Sequence, residues 1–186
     1  MDPTTDSLHM TVYAALFAAL ITAGAFLAIP IGPVPIVLQN FFVLLTGLLL
    51  GGRWGLFSVA IYLLAGACGL PVFAGAAGGL GRLFGPTGGY LWGYLPAVFV
   101  TGTLSRRLGQ RTGGDIAALL CGTLLVYAFG VPWLKLVAGL DWPRALALGM
   151  LPFVPGDGLK IAAAVVVARV LRPVIQRRET RAAALP

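Results

Sequence analysis

Two charged side chains, Asp157 and Lys160, stand three residues apart at the head of a run, 161–168, that is otherwise small and apolar. A charge near the centre of a bilayer costs roughly 2.5–3.5 kcal/mol on insertion scales. Two such charges are not kept in an apolar segment for packing alone. On a helix the pair shares a face, where each partly neutralises the other. Pro155 and Gly156 just upstream open the helix and free backbone groups, which membrane depth tolerates only inside protein or beside a cavity. A carboxylate acceptor, a cationic donor and freed backbone together describe a polar pocket between helices. A plainer account also fits. The segment could be a water-exposed turn in which Asp157 caps the next helix and Lys160 reaches to the interface. Both accounts hold if the pocket lies near one membrane face.

The elements that position this pair are membrane helices. Of the 186 residues, 59% are hydrophobic and 10% charged, against about 25% charged in soluble domains. The apolar stretches are long and continuous, unlike the short alternating strands of an outer-membrane barrel. The predicted fold is therefore an all-α membrane protein. One integral-membrane domain covers 1–186, with six transmembrane helices in one bundle at about 9–29, 36–50, 54–69, 90–104, 116–136 and 145–170. The sixth is broken at 152–156. Residues 1–8 are polar and are expected to be disordered or interfacial, with His9 at the membrane edge. The first apolar run is too long for a cleaved secretory signal.

Net charge is +7, but the basic residues collect at Arg53, in the loop from Arg106 to Arg111, and in the tail (Arg169, Arg172, Arg177, Arg178, Arg181). The alternate loops carry only Arg82, Lys135 and Arg144. This asymmetry speaks for membrane orientation rather than nucleic-acid binding, and it puts both termini in the cytoplasm. The proline loop at 30–35, the glycine-rich stretch at 70–89 and the Asp157 region then face outward. Cys68 and Cys121 lack metal spacing and are expected to be buried free thiols.

Along the chain, small residues stripe the first span. Ala14, Ala18 and Thr22 fall on one face, and Ala15, Ala19 and Ala23 on the next. Such spacing serves close packing inside the bundle or docking to a separate membrane protein. Gln39 and Asn40 enter the second span as amides in need of partners, from loop backbone or from a ligand. Gly51, Gly52 and Arg53 make a tight turn. The stretch 70–89 is rich in glycine yet apolar, with Arg82 its single charge. It reads as a lid whose backbone approaches a ligand, or as a structural plug. Tyr90, Trp92 and Tyr94 are placed as interfacial aromatics. Tyr90, directly after the glycines, is expected to face the pocket.

No phosphate-binding Gly-Lys-Ser/Thr loop occurs, no His/Cys/carboxylate cluster has metal spacing, and the single histidine is terminal. An enzyme is the poorer hypothesis. A binding protein for a small solute with a polar head and an apolar body is the better one, because each buried polar group needs a partner.

Three motifs carry a resemblance. They are Ile31-Gly-Pro-Val-Pro-Ile36 followed by Gln39; Gly-Gly-Leu-Gly-x-x-x-Gly-Pro-Thr-Gly-Gly-Tyr-Leu from Gly78 to Leu91; and Pro-Phe-x-Pro-Gly-Asp-x-x-Lys from Pro152 to Lys160. Together they resemble the BioY family, the biotin-specific S components of energy-coupling factor transporters in prokaryotic cytoplasmic membranes. The resemblance covers nearly the whole chain. It departs at Val37, where the family often has threonine, and at Gly158, where leucine is more usual. It implies a six-helix bundle that binds biotin near the outer face, beneath the loops joining the first to second and third to fourth helices.

The partners implied are a transmembrane coupling (T) protein and one or two ABC-type ATPases. These use the ATP while the S component topples in the membrane. Biotin is the ligand, and no cofactor belongs to this chain. Carried onto these positions, Asp157 accepts from the ureido N–H groups and Lys160 donates to the ureido oxygen. Gln39 or the backbone of Gly78 and Gly79 completes the set. Tyr90 lies against the thiophane ring, and Arg82 or Lys160 reads the carboxylate. Ala14 and Ala18 resemble the stripe that S components present to the coupling protein. The resemblance leaves open a homo-oligomer, an S component for thiamine or riboflavin, and a membrane scaffold or enzyme in which the polar pair is structural.

Overall fold

The computed structural model describes residues 3–30 and 32–182, the side chains of 3–7, 174 and 176–182 excepted. Ile31 of the proline loop, residues 1–2 of the polar start, and the side chains of Arg177, Arg178 and Arg181 therefore lie outside the described residues. Helix α1 (Pro3–Phe26) is already helical through the polar residues 3–8, six residues before the predicted span. It ends before Pro30, which cannot continue a helix. The chain then forms a two-residue antiparallel ribbon, β1 (Ala28–Ile29) with β2 (Ile36–Val37), in register Ala28 with Val37 and Ile29 with Ile36. The fold is mostly helical, and this ribbon is the exception to the all-α expectation. It closes the proline loop into a hairpin.

Helix α2 (Gln39–Ala67) contains Gly51 at φ 80°, ψ 176°, a conformation that glycine reaches without steric cost. A Cβ on Gly55 would lie 3.4 Å from the Cα of Gly47. Eight residues along a straight helix span about 12 Å, so α2 doubles back on itself. Its arms, 39–50 and 52–67, meet at the predicted Gly51–Gly52–Arg53 turn. Helix α4 (Gly88–Arg107) seats against that bend. A Cβ on Gly102 would come within 2.4 Å of backbone atoms of both Gly51 and Gly52. Bare backbones thus meet, as in membrane bundles where packing rather than water expulsion drives association.

Between the arms and α4, residues 68–87 carry a bridge, Phe73 to Ala77, and a short helix, α3 (Leu80–Phe84). Helix α5 (Thr112–Ala138) packs along α4, and Thr101 donates to the Ala118 carbonyl at 3.2 Å. Helices α6 (Trp142–Gly149) and α7 (Val154–Ala182) meet at a 43° bend. The break thus lies at 150–153, slightly earlier than the predicted 152–156. Pro155 and Gly156 sit inside the first turn of α7, where a proline's missing N–H removes no helix bond. Among the described residues, α1, α2 and α5 are long and apolar enough to cross a membrane, and the bent pair α6–α7 makes a fourth candidate.

Two expectations are corrected here. Ala14 and Ala18 are buried, and the Ser58 hydroxyl donates to the Ala14 carbonyl at 2.8 Å. Ala14 and Ala18 thus pack α1 onto the second arm of α2, while Ala15, Ala19 and Ala23 are exposed. Cys68 and Cys121 are free but exposed. Apolar surroundings in sequence do not mean burial in protein when the outside of the bundle is apolar too.

The bundle has two distinct ends. Arg106 donates to the Leu50 carbonyl at 2.9 Å, and Arg172 reaches Gln110 and Asp115, so the α2 bend, the α4–α5 loop and the far part of α7 meet at a basic end. The proline hairpin, the glycine-rich stretch and the α6–α7 bend gather at the other.

Candidate functional site

At the loop end lies a cavity with an empty volume of about 790 Å³, its open mouth included. The α6–α7 bend turns the first turn of α7 into the bundle, which buries Asp157 to 5% exposure. The first turn of α2 faces it. Asn40 Nδ2 donates to Asp157 Oδ1 at 3.0 Å. Lys160 Nζ donates to Asn40 Oδ1 at 2.9 Å and to Asp157 Oδ1 at 3.2 Å, the latter also an ion pair. From α5, the Tyr127 hydroxyl donates to Asp157 Oδ2. The carboxylate is therefore ringed by donors from three elements.

The remaining capacity defines what this cluster can bind. A carboxylate offers about four lone-pair sites and an ammonium three protons. Three of the former are used, leaving one acceptor position on Asp157 Oδ2. Lys160 keeps one N–H and Asn40 one. Gln39, 2% exposed, donates Nε2 to the Tyr62 hydroxyl at 2.8 Å and keeps its carbonyl oxygen for another donor. The cluster thus presents acceptors and donors side by side, suited to a planar group with N–H and C=O on one edge.

The walls are apolar. Leu91 and Tyr94 of α4, Val126 of α5 and Phe153 of the bend line the cavity, and Val34 and Phe73 close it from the two loops. Tyr90 also lines it, but its hydroxyl is committed to the Gly149 carbonyl at 2.7 Å, so it presents its ring. Arg82, in the last turn of α3, lines the mouth and is exposed, and among the described residues it has no ion-pair partner. Two cations and one carboxylate leave the lining with one net positive charge, which favours a solute carrying a negative charge away from its polar head.

The structure brings together Asp157, Lys160, Gln39, Arg82 and Tyr90 around one cavity. It does not bring Gly78 or Gly79 to the lining. A Cβ on Gly78 would meet the Leu70 carbonyl at 2.3 Å, and Gly79, at φ +90°, donates its N–H to Gly66 at 2.7 Å. These glycines fasten the base of the loop to the end of α2. At the loop's other end, the indoles of Trp92 and Trp133 donate to the carbonyls of Leu83 and Gly85 at 3.2 and 3.0 Å. Trp92 and Tyr94, read as interfacial aromatics, serve the loop and the cavity wall. Asn40 is a central member of the cluster, although sequence reasoning left its partner open between backbone and ligand. Tyr127 and Thr123 were missed. Their one signal is spacing: four residues apart on a long apolar helix, they share a face.

A sequence model of the BioY family matches residues 1–177. The probable biotin transporter BioY of Pyrococcus horikoshii is 43% identical over 85% of this chain and 93% of its own length. The biotin transporter BioY of Thermotoga maritima is 41% identical over 87% and 94% respectively. Among solved structures, the crystal structure of the S-component for biotin from an ECF-type ABC transporter superposes with a TM-score of 0.86 at 34% identity, covering 93% of this chain and 95% of that one.

Proposed function

The chain belongs to the BioY family, and from that premise we propose that it captures biotin at the cavity and delivers it across the cytoplasmic membrane as the substrate-binding subunit of an energy-coupling factor transporter. The observation that carries the reading is the donor-ringed Asp157 beside Lys160 and Asn40 in an apolar cavity. Biotin's ureido ring has two N–H donors and one carbonyl acceptor on one compact edge. Asp157 Oδ2 and the Gln39 carbonyl accept from the N–H groups. Lys160 and Asn40 donate to the oxygen. The thiophane ring lies against Tyr90, Tyr94 and Phe153, and the valerate carboxylate extends to Arg82 at the mouth. Each polar group of the ligand meets a partner, as burial requires.

In this reading the whole chain is one membrane domain of six spans, the two arms of α2 counting as two. The basic end and both termini lie in the cytoplasm by charge asymmetry, and the cavity opens outward. The family is one of transporter subunits, and ATP is used by separate ATPases coupled through a T protein. The exposed stripe Ala15, Ala19 and Ala23 on α1 is the surface offered to that T protein, in place of Ala14 and Ala18. Accumulation of radiolabelled biotin by uptake-deficient bacteria expressing the chain with T and ATPase subunits tests the proposal. Uptake chased by unlabelled biotin but not by thiamine or riboflavin is expected; uptake no greater than in cells without the chain contradicts it.

A further inference from the structure

Helix α7 is fastened to the bundle by polar groups at two levels, its first turn and Arg172, ten residues before its end. At the cavity end the bonds are those of Asp157 and Lys160. At the basic end Arg172, 7% exposed, places its fork on the fully buried Asp115, Nη1 to Oδ2 at 3.0 Å and Nη2 to Oδ1 at 3.1 Å. The same guanidinium donates to the Gln110 carbonyl at 3.1 Å, and to the Leu48 carbonyl and the Ser105 hydroxyl, both at 3.4 Å. Ser105 in turn donates to Asp115 Oδ1 at 2.5 Å. One side chain of α7 thereby grips α2, α4, α5 and the loop between the last two.

Between these levels α7 fully buries Ala164, Val165 and Ala168, with Ile161 and Val167 half-buried against the core. Apolar contact is non-directional, so this face sets the axial position of α7 less sharply than a charged, two-pronged hydrogen bond does. The cavity-end groups are the ones whose placement a bound solute reads. The Arg172 grip is independent of the solute. Arg172 stands fifteen residues beyond Asp157, about 22 Å along the helix, so it touches neither the cavity nor its contents. Resting on the biotin reading above, we propose that Arg172, through Asp115, is a positioning residue. It holds α7 in the axial register that sets Asp157 and Lys160 against Asn40 and Tyr127.

The test is biotin affinity of the full-length purified chain, measured for Asp115→Leu/Arg172→Met with and without Asp157→Asn. Replacing a buried ion pair by apolar residues often leaves stability unchanged, so the double variant separates register from folding. Expected is a melting temperature near that of the wild type, with biotin binding weakened about tenfold. In the Asp157→Asn background the same double change should alter affinity by less than about twofold, because residues acting through one another are non-additive. Arg172→Lys, which keeps Asp115 paired but removes the fork, is measured alongside in case the apolar variant does not fold. It should show a smaller loss with the same dependence on Asp157. Wild-type affinity in these variants, or an equal loss in both backgrounds, would overturn the inference while leaving biotin binding intact. Absence of biotin binding by the wild-type chain would instead overturn the reading beneath it, and the inference with it.

Discussion

Asp157→Asn is the perturbation with the most direct structural accounting. The carboxylate accepts from Asn40 and Lys160 on one oxygen and from Tyr127 on the other. The amide keeps one oxygen, which can still serve Asn40 and Lys160. The other oxygen becomes an NH₂ group. Tyr127 adapts by turning its hydroxyl to accept, so the protein's own network loses little. A ureido N–H arriving at that position meets a donor instead of an acceptor, and Lys160 loses its counter-charge. The loss is one charge-assisted hydrogen bond, about 1.5–3 kcal/mol, or roughly 10- to 150-fold in Kd. Titration of biotin into the purified variant, with its melting temperature as a folding control, measures it. A Kd within twofold of the wild type, from folded protein, would refute the placement of the ureido ring on Asp157.

Other consequences follow from the same geometry. Arg82→Gln should abolish the preference for biotin over biotin methyl ester, a difference of about tenfold in competition binding if a charged contact reads the carboxylate; an unchanged preference would place that contact elsewhere. Ala19→Leu, on the exposed face of α1, should leave biotin binding by the isolated chain intact while preventing copurification with the T protein. Ala14→Leu should instead lower the melting temperature of the isolated chain, because Ala14 is fully buried. Gly102→Ala would force its methyl into the backbone of Gly51 and Gly52 and should destabilise by about 1–3 kcal/mol, seen as a lower melting temperature.

Much of the site was readable from sequence because its strongest members violate their surroundings. Asp157 and Lys160 are charges in an apolar run, and Gln39 and Asn40 are amides at a helix entrance. Each needs a partner, which is why they converge. Prolines and glycines marked the hairpin, the α2 bend and the lid-like stretch, although Gly78 and Gly79 turned out to anchor that stretch rather than line the cavity. Tyr127 was hidden because a tyrosine inside an apolar helix offends no local rule; only Asp157, thirty residues on, gives it a role. The Asp115–Arg172 pair was hidden for a related reason. Both residues lie where loops and tails were expected, and their burial depends on the chain doubling back at Gly51. The choice of Ala14 and Ala18 as the docking face rests on resemblance alone, because α1 is apolar on all sides and no polar face marks which side turns inward.

Biotin capture by this chain requires that it alone hold biotin in the cavity at the loop end. Equilibrium binding of radiolabelled biotin to the detergent-purified chain measures this. Expected is saturable binding of one biotin per chain, displaced by unlabelled biotin and left in place by thiamine and riboflavin. Folded protein that shows no saturable biotin binding would contradict it.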